Sequence, residues 1–278
     1  ITIVPWANPI GRGQYLFGEQ QGRFHLGTRT NFNRDFPLLE RPDPALVGGD
    51  ATGADARLKQ RLMKLSVGHE IVLDLHCDDE GVVYLYVPQA LWPAMADCAA
   101  AMGVEAVVLW GGSSGASFDE ASLHPHLQTA EDRLERIVAT TVEYRGVVDV
   151  DPALAKSDAA GLYRLLVARG VVSDKALPPL PVFTGVVAPL ENIEMVETPR
   201  AGAILYHVKP GDRVAKGDRL ATIVHTPGED GGSIDVLAPQ AGFILTRRAQ
   251  RTTRAGDDLI KLVGEARSTD ARSGALED

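Results

Sequence analysis

Cysteine is nearly absent from this chain. Its 278 residues include only Cys77 and Cys98. Two cysteines cannot build a disulfide framework, and such a count suits a reducing compartment, so the cytoplasm is the expected location. Net basic charge is also lacking. The formal charge is −9, which leaves no global basic field for nucleic acid, although a local arginine cluster can still bind an anion. No apolar run approaches the length of a membrane span. No signal peptide is visible. The chain opens with "ITIVPWANP" and no Met, which points to a natural N-terminus further upstream. What remains, 45% hydrophobic and 23% charged residues, is the composition of a globular protein.

Residues 1–175 alternate strand-like and helix-like runs. "ITIVP" is rich in β-formers. "DARLKQRLMKL" carries Leu58, Leu62 and Leu65 at helical spacing. "EIVLDLHCD" is nearly continuous in apolar residues and predicts a strand buried on both faces, with "VVYLYVP" as its neighbour. "ALWPAMADCAAAMG" predicts a helix stopped by Gly103, and "VEAVVLWGG" a strand. "SFDE", Ser117 to Glu120, has capping-box spacing. "IVATTVEYRG" predicts a strand, and "SDAAGLYRLLVARG" a helix capped by Ser157 or Asp158 and closed by Gly170. Such alternation predicts an α/β layer fold with a mixed, largely parallel sheet.

The proline-rich "ALPPLP" (Ala176 to Pro181) is a stiff connector. Beyond it, residues 182–265 contain an internal repeat. "VETPRAGAIL" returns as "VLAPQAGFIL", and "KGDRLATIV" as "AGDDLIKLV". Two such halves predict a smaller all-β domain, a sandwich or flattened barrel. Residues 266–278 are polar and predict a disordered tail.

Several residues are suited to chemistry. Asp74 and His76 alternate with Leu75 and so share one face of their strand, at its carboxyl end. Histidine is a common metal ligand, although a hydrogen-bonded strand-end histidine is the favoured reading of this stretch by itself. Cys77 should point the other way, into packing, and Asp78, Asp79 and Glu80 read as a solvated turn. Glu143 ends an apolar run, where a charge is costly unless paired or used. Arg145 is its obvious partner; a general base beside a metal-bound water is the alternative. In "TNFNRDFP", Asn33 and Arg34 stand between Phe32 and Phe36. A guanidinium fork suits a carboxylate, Asn33 can donate to the same oxygen, and the two rings would hold the pair still. Arg23 in "GRF" could stabilise an oxyanion. Arg12 and Arg29 read as solvent-facing. His124 and His126 flank Pro125 and read as a loop or helix end. "GGSSGAS" (Gly111 to Ser117) lacks the Lys-Ser/Thr of a phosphate loop and reads as a flexible loop.

"NPIG" (Asn8 to Gly11), "GRF", "NFNRDFP", "LDLHCD" and "TVEYRG" occur in an order that resembles the succinylglutamate desuccinylase/aspartoacylase family of zinc carboxypeptidase-like hydrolases. The resemblance implies a sheet of zinc-carboxypeptidase type and a barrel-sandwich-like C-terminal domain. It implies one Zn2+ per site, with His76 as the family's third zinc ligand. Glu143 matches the general base, and Asn33 and Arg34 the pair that binds a substrate carboxylate. Arg23 matches the arginine that polarises the scissile carbonyl, at a wider spacing from Asn33 and Arg34 than in aspartoacylase-like members. The family's other zinc ligands come from an upstream His-x-x-Glu motif. No histidine here has a glutamate three residues later, so that motif is expected before Ile1. The implied activity is hydrolysis of N-acyl amino acids, with a homo-oligomer compatible. The alternatives are a metallocarboxypeptidase and a non-catalytic carboxylate- or partner-binding module. The repeat also resembles biotinyl and lipoyl carriers, but the hairpin between its halves, "GEDGGSIDV", has no lysine to modify. A lid or interaction role is expected of it instead.

Overall fold

Polar backbone groups must find partners wherever they leave water, and in this chain the partners are mostly strands. A computed structural model describes residues 1–127, 131–271 and 276, without the side chains of residues 131 and 132. In chain order the first elements are α1 (Pro9–Arg12), the hairpin β1 (Tyr15–Leu16) and β2 (Glu19–Gln20), and α2 (Ala54–Ser66). Then come β3 (Ile71–Asp78), β4 (Glu80–Gly81), β5 (Val83–Pro88), α3 (Ala96–Met102) and β6 (Ala106–Trp110). They are followed by α4 (Phe118–Leu123), α5 (Glu131–Leu134), β7 (Val138–Gly146) and α6 (Pro152–Ala168). The remainder is β8 (Val186–Pro189), β9 (Ile193–Glu197), β10 (Gly202–Tyr206), β11 (Arg213–Val214), β12 (Arg219–Val224), β13 (Ser233–Leu237), β14 (Gly242–Arg247), β15 (Thr252–Thr253) and β16 (Asp258–Gly264). The fold is mixed α/β.

A five-stranded sheet has the order β3-β7-β5-β6-β8. β6 runs parallel to both β5 and β8, while β7 is antiparallel to β5. The apolar runs of β5, β6 and β7 are buried almost throughout. Two expectations for β3 fail. It stands at the sheet's edge, with Leu75 52% exposed, and its neighbour is β7 rather than β5. An apolar run marks a strand; it does not choose its place in the sheet. "ITIVP" forms no strand, because β-propensity needs a paired surface to act on.

By contacts the chain groups into two units. One holds Ile1–Asp74 and Gly111–Thr140, the other Leu75–Trp110 and Thr141–Ser273. In the first unit, α2 and α4 close over a core of Phe36, Leu39, Val47, Met63 and Ala121. In the second, α6 begins earlier than expected. Asp151 is its cap, accepting from the N–H groups of Ala153 and Leu154, with Pro152 in the first turn. Its end at Gly170, with φ +70°, is as expected.

The repeat folds by exchange. One sheet has the order β13-β12-β10-β15 and the other β11-β14-β16-β9. Pairing each first-half strand with its repeat (β9 with β13, β10 with β14, β11 with β15, β12 with β16) turns one order into the other. Each sheet therefore takes strands from both halves, and neither half can complete a sheet alone. The glycines of the two Ala-Gly turns show why that sequence recurs. A Cβ on Gly202 would strike the Val224 carbonyl, and one on Gly242 the equivalent Val263 carbonyl. Residues 266–268 do not belong to the expected disordered tail. The Ala266 N–H donates to Gln240 Oε1 at 2.9 Å, the Ser268 N–H donates to the Glu191 carbonyl at 2.8 Å, and Ser268 is buried. The rest of that stretch, residues 272–275 and 277–278, lies outside the described residues.

Candidate active site

In the first unit the quoted motifs are joined to one another by hydrogen bonds. Asn8 caps α1, accepting from the Gly11 N–H at 2.8 Å, and its Nδ2 donates to the Gly22 carbonyl at 2.9 Å. The next residue, Arg23, accepts from the Phe32 N–H through its carbonyl at 3.0 Å. Asn33 then reaches two further elements. Its Oδ1 accepts from the Phe118 N–H at 2.8 Å, and its Nδ2 approaches Asp74 Oδ2 at 3.4 Å. Asn33 thus supplies the α4 cap that Ser117 was expected to give. Ser117 makes no side-chain cap bond, and its hydroxyl donates to Asp119.

Arg34 lies between two fixed neighbours. Phe32 and Phe36 are both buried, Phe36 against Phe118 with ring centroids 5.3 Å apart and Phe32 edge-on to His25 at 5.8 Å. Arg34 is half-buried, and its Nη1 donates to the Asn33 carbonyl at 2.6 Å. Asp35 sits at φ +55°, a conformation of order 1–3 kcal/mol above the ordinary one for a residue with a side chain. Arg23 is exposed. Arg12 stacks on Trp6 at 3.6 Å. His124 and Pro125 form the 3-10 turn that ends α4, in keeping with the helix-end reading.

In the second unit, His76 on β3 is half-buried and Glu143 on the adjacent β7 is 9% exposed. Glu143 lies opposite Tyr84 in the β5–β7 register. Arg145, the expected partner of Glu143, bonds Asp158. Cys77 is exposed rather than packed. Partial desolvation and the carboxylates of Glu143, Asp78, Asp149 and Asp79 push its thiol up, so it is not poised as a thiolate nucleophile.

Of the expected solvated turn after His76 only Asp79 is exposed; Asp78 and Glu80 are engaged. Asp78 Oδ2 accepts from Tyr84 Oη at 2.7 Å and from Lys261 Nζ at 2.5 Å, and both Asp78 and Lys261 are buried. Burial pushes the Asp78 carboxyl up, but the Lys261 ammonium and the hydrogen bonds outweigh it and hold the group below its ordinary value. Tyr84 in turn bonds Tyr86, 3.4 Å between hydroxyls. Glu80 receives Arg247 at 2.6 Å and Arg251 at 2.5 Å, and its strand β4 pairs with β14. The segment that follows His76 is therefore fastened to the C-terminal strands.

Burial raises the phenols of Tyr84, Tyr86, Tyr144 and Tyr206, the last three to about 12. In the unfolded chain they ionise near 10. A raised folded value means that the folded state keeps protons the unfolded state has lost, so stability is present below pH 10 and falls above it. We expect the melting temperature to drop steeply between pH 10 and about 12, at up to about 1.4 kcal/mol per pH unit for each tyrosine. Tyr84→Phe should flatten the drop in a pH series of thermal melts.

A catalytic zinc takes three protein ligands and one water. Among the described residues no group of three or more His, Cys, Asp or Glu side chains could hold a metal ion. His76 is not part of such a set, so the described donors do not by themselves fit zinc. No described helix is long and apolar enough to cross a membrane.

Comparison with known proteins agrees with the motifs. Residues 1–169 match the model of the succinylglutamate desuccinylase/aspartoacylase catalytic domain. No curated protein matches. Among solved structures, the chain is similar to a succinylglutamate desuccinylase/aspartoacylase of Shewanella frigidimarina NCIMB 400, at 22% identity over 94% of this chain and 78% of that one, with a TM-score of 0.79. A second, from Shewanella amazonensis SB2B, gives 24% identity over 94% and 80%, with a TM-score of 0.80. The product-bound ectoine utilization protein EutE (DoeB) of Ruegeria pomeroyi gives 18% over 89% and 70%, with a TM-score of 0.63. At these identities the structural likeness speaks for the fold, and the family follows from the match over residues 1–169. The chain belongs to the succinylglutamate desuccinylase/aspartoacylase family of deacylating hydrolases.

Proposed function

We propose that this hydrolase cleaves the amide bond of N-acyl amino acids or related small amides that bear a carboxylate. The observation that carries the reading is the fixed Asn33-Arg34 pair. The Asn33 carboxamide is tied to Asp74 and Phe118, the Phe32 N–H just before it is tied to the Arg23 carbonyl, and the flanking rings are buried. A fork held this way loses little further entropy on binding a carboxylate. In the proposal Arg34 binds the substrate carboxylate and Asn33 sets its height. Arg23 stabilises the oxyanion. Glu143, a buried carboxylate on β7, removes a proton from the attacking water and returns it to the leaving amine. The framework is of zinc-carboxypeptidase type, with the exchanged β repeat as a barrel-sandwich-like domain. Zinc is the metal the family resemblance implies.

The test is a panel of N-acetyl and N-succinyl amino acids, their α-carboxamides, and short peptides, each assayed with chelator and with added zinc. We expect hydrolysis of the acyl amino acids, a KM about 10- to 100-fold higher for the carboxamides, and a similar rise in Arg34→Ala. Preference for peptides would make the protein a metallocarboxypeptidase. Binding without turnover under every metal condition would make it a carboxylate-binding module.

A further inference from the structure

We propose that Glu120 is a positioning residue for substrate specificity: it fixes the Gly111–Ser117 loop as the shelf on which Arg34 is aimed. The inference rests on the Arg34 reading above and adds a residue to it. The sequence "GGSSGAS" promises flexibility, yet the loop is held from within. Glu120 Oε2 accepts three bonds, from the Ser114 N–H at 2.9 Å, the Ser114 hydroxyl at 2.8 Å and the Ala116 N–H at 2.8 Å. These bonds keep Gly115 and Ala116 at φ +79° and +53°. In that conformation their carbonyls accept the N–H groups of Asp35 and Phe36, both at 2.9 Å. The backbone on the C-terminal side of Arg34 is thereby clamped to the loop.

The side chain is also shaped by it. A Cβ on Gly115 would lie 3.0 Å from Arg34 Cδ, so the arginine stem runs along the bare glycine. Asn33 grips the other end of the loop at Phe118. Two consecutive residues of the clamp are therefore referenced to one loop, in which Glu120 holds the Ser114 and Ala116 N–H groups beside a Ser114–Ser117 hydroxyl contact and a Gly115 N–H bond to Ser113. Losing Glu120 frees three donors and lets Gly115 relax, which moves the guanidinium without touching any reacting atom. The loss should appear in binding of the carboxylate and leave the chemical step alone.

The experiment compares an N-acyl amino acid with its α-carboxamide on the full chain. Affinity is read as KM, and also as Kd by calorimetry in the Glu143→Gln background, so that it does not depend on turnover. We expect Glu120→Ala to weaken the carboxylate ligand about tenfold, to leave the carboxamide within about twofold, and to leave kcat nearly unchanged. Glu120→Gln keeps an acceptor oxygen and should stay within about threefold of the parent. Ser114→Ala, which removes one bond of three and is a milder change should Glu120→Ala not fold, should move affinity in the same direction by less. Equal weakening of both ligands, a fall in kcat alone, or no change in either variant would overturn the proposal. A parent protein that binds the two ligands equally removes the Arg34 clamp itself, and this inference with it. A parent that prefers the carboxylate while the variants do not differ removes only the role of Glu120.

Discussion

Glu143→Gln should abolish turnover while the protein stays folded. The substitution keeps the shape of the side chain and removes its basicity. General-base catalysis is worth about 10²- to 10⁴-fold, so the barrier should rise by about 3–5 kcal/mol. The fold should tolerate the change. Glu143 is 9% exposed on a strand whose other residues are mostly buried, where a charge is held against its own desolvation. Its negative charge also helps to raise the phenols of Tyr84 and Tyr86. A neutral amide should therefore leave the melting temperature equal or higher. Amine release measured beside thermal melts separates the two effects. Unchanged turnover would remove Glu143 from the mechanism, and lost turnover together with a lost fold would make it a structural residue.

The sequence carried the strands and the chemistry unequally. Runs such as Val83–Pro88 and Ala106–Trp110 are largely apolar because interior strands of a sheet bury side chains on both faces, and that needs no knowledge of the rest of the chain. Phe32 and Phe36 were legible for a related reason: large rings in a polar stretch gain by leaving water, and both are buried. The place of β3 was not legible, because strand order is set by connections and competition among strands. Nor was the exchange of strands in the repeat, since repetition shows which segments are equivalent and not which ones pair. "SFDE" has the letters of a capping box, but Glu120 was drawn to the loop before it. The local pattern could not weigh that competition.

The largest misreading concerned Asp78 and Glu80. Three acidic residues in a row beside a glycine look like solvated surface. Their partners are far along the chain: Lys261 is 183 residues from Asp78, and Arg247 is 167 from Glu80. No window of sequence contains both ends. The one available signal was Lys261 itself, a charge inside the apolar run "DLIKLVG" that needed a buried carboxylate somewhere.

Lys261→Met should therefore be the most destabilising single change on the surface of contact between β3 and the C-terminal strands. Removing one member of a buried pair costs about 3–5 kcal/mol, a large part of the stability of an ordinary domain. The side chains of Lys261 and Asp78 are 7% and 9% exposed, so solvent screening cannot absorb the loss as it would at a surface. The pH dependence gives the cause. In the parent protein the Asp78 carboxyl is held below its ordinary value of 3.8. Its contribution is then complete above that pH and is lost on acidification. Without Lys261 only the Tyr84 and Asp79 hydrogen bonds oppose burial, and the carboxyl moves up, so the variant's deficit should be largest at neutral pH and shrink as the pH falls toward 4. Asp78→Asn together with Lys261→Met should recover most of the loss, because neither charge then lacks its partner. Urea unfolding of the four proteins at pH 7 and near pH 4 measures all of this. A deficit below about 1 kcal/mol, the same at both pH values, would mean that the pair behaves as a solvated surface contact, and the fastening of the His76 strand to the C-terminal sheet would then have to come from β4 and Glu80 alone.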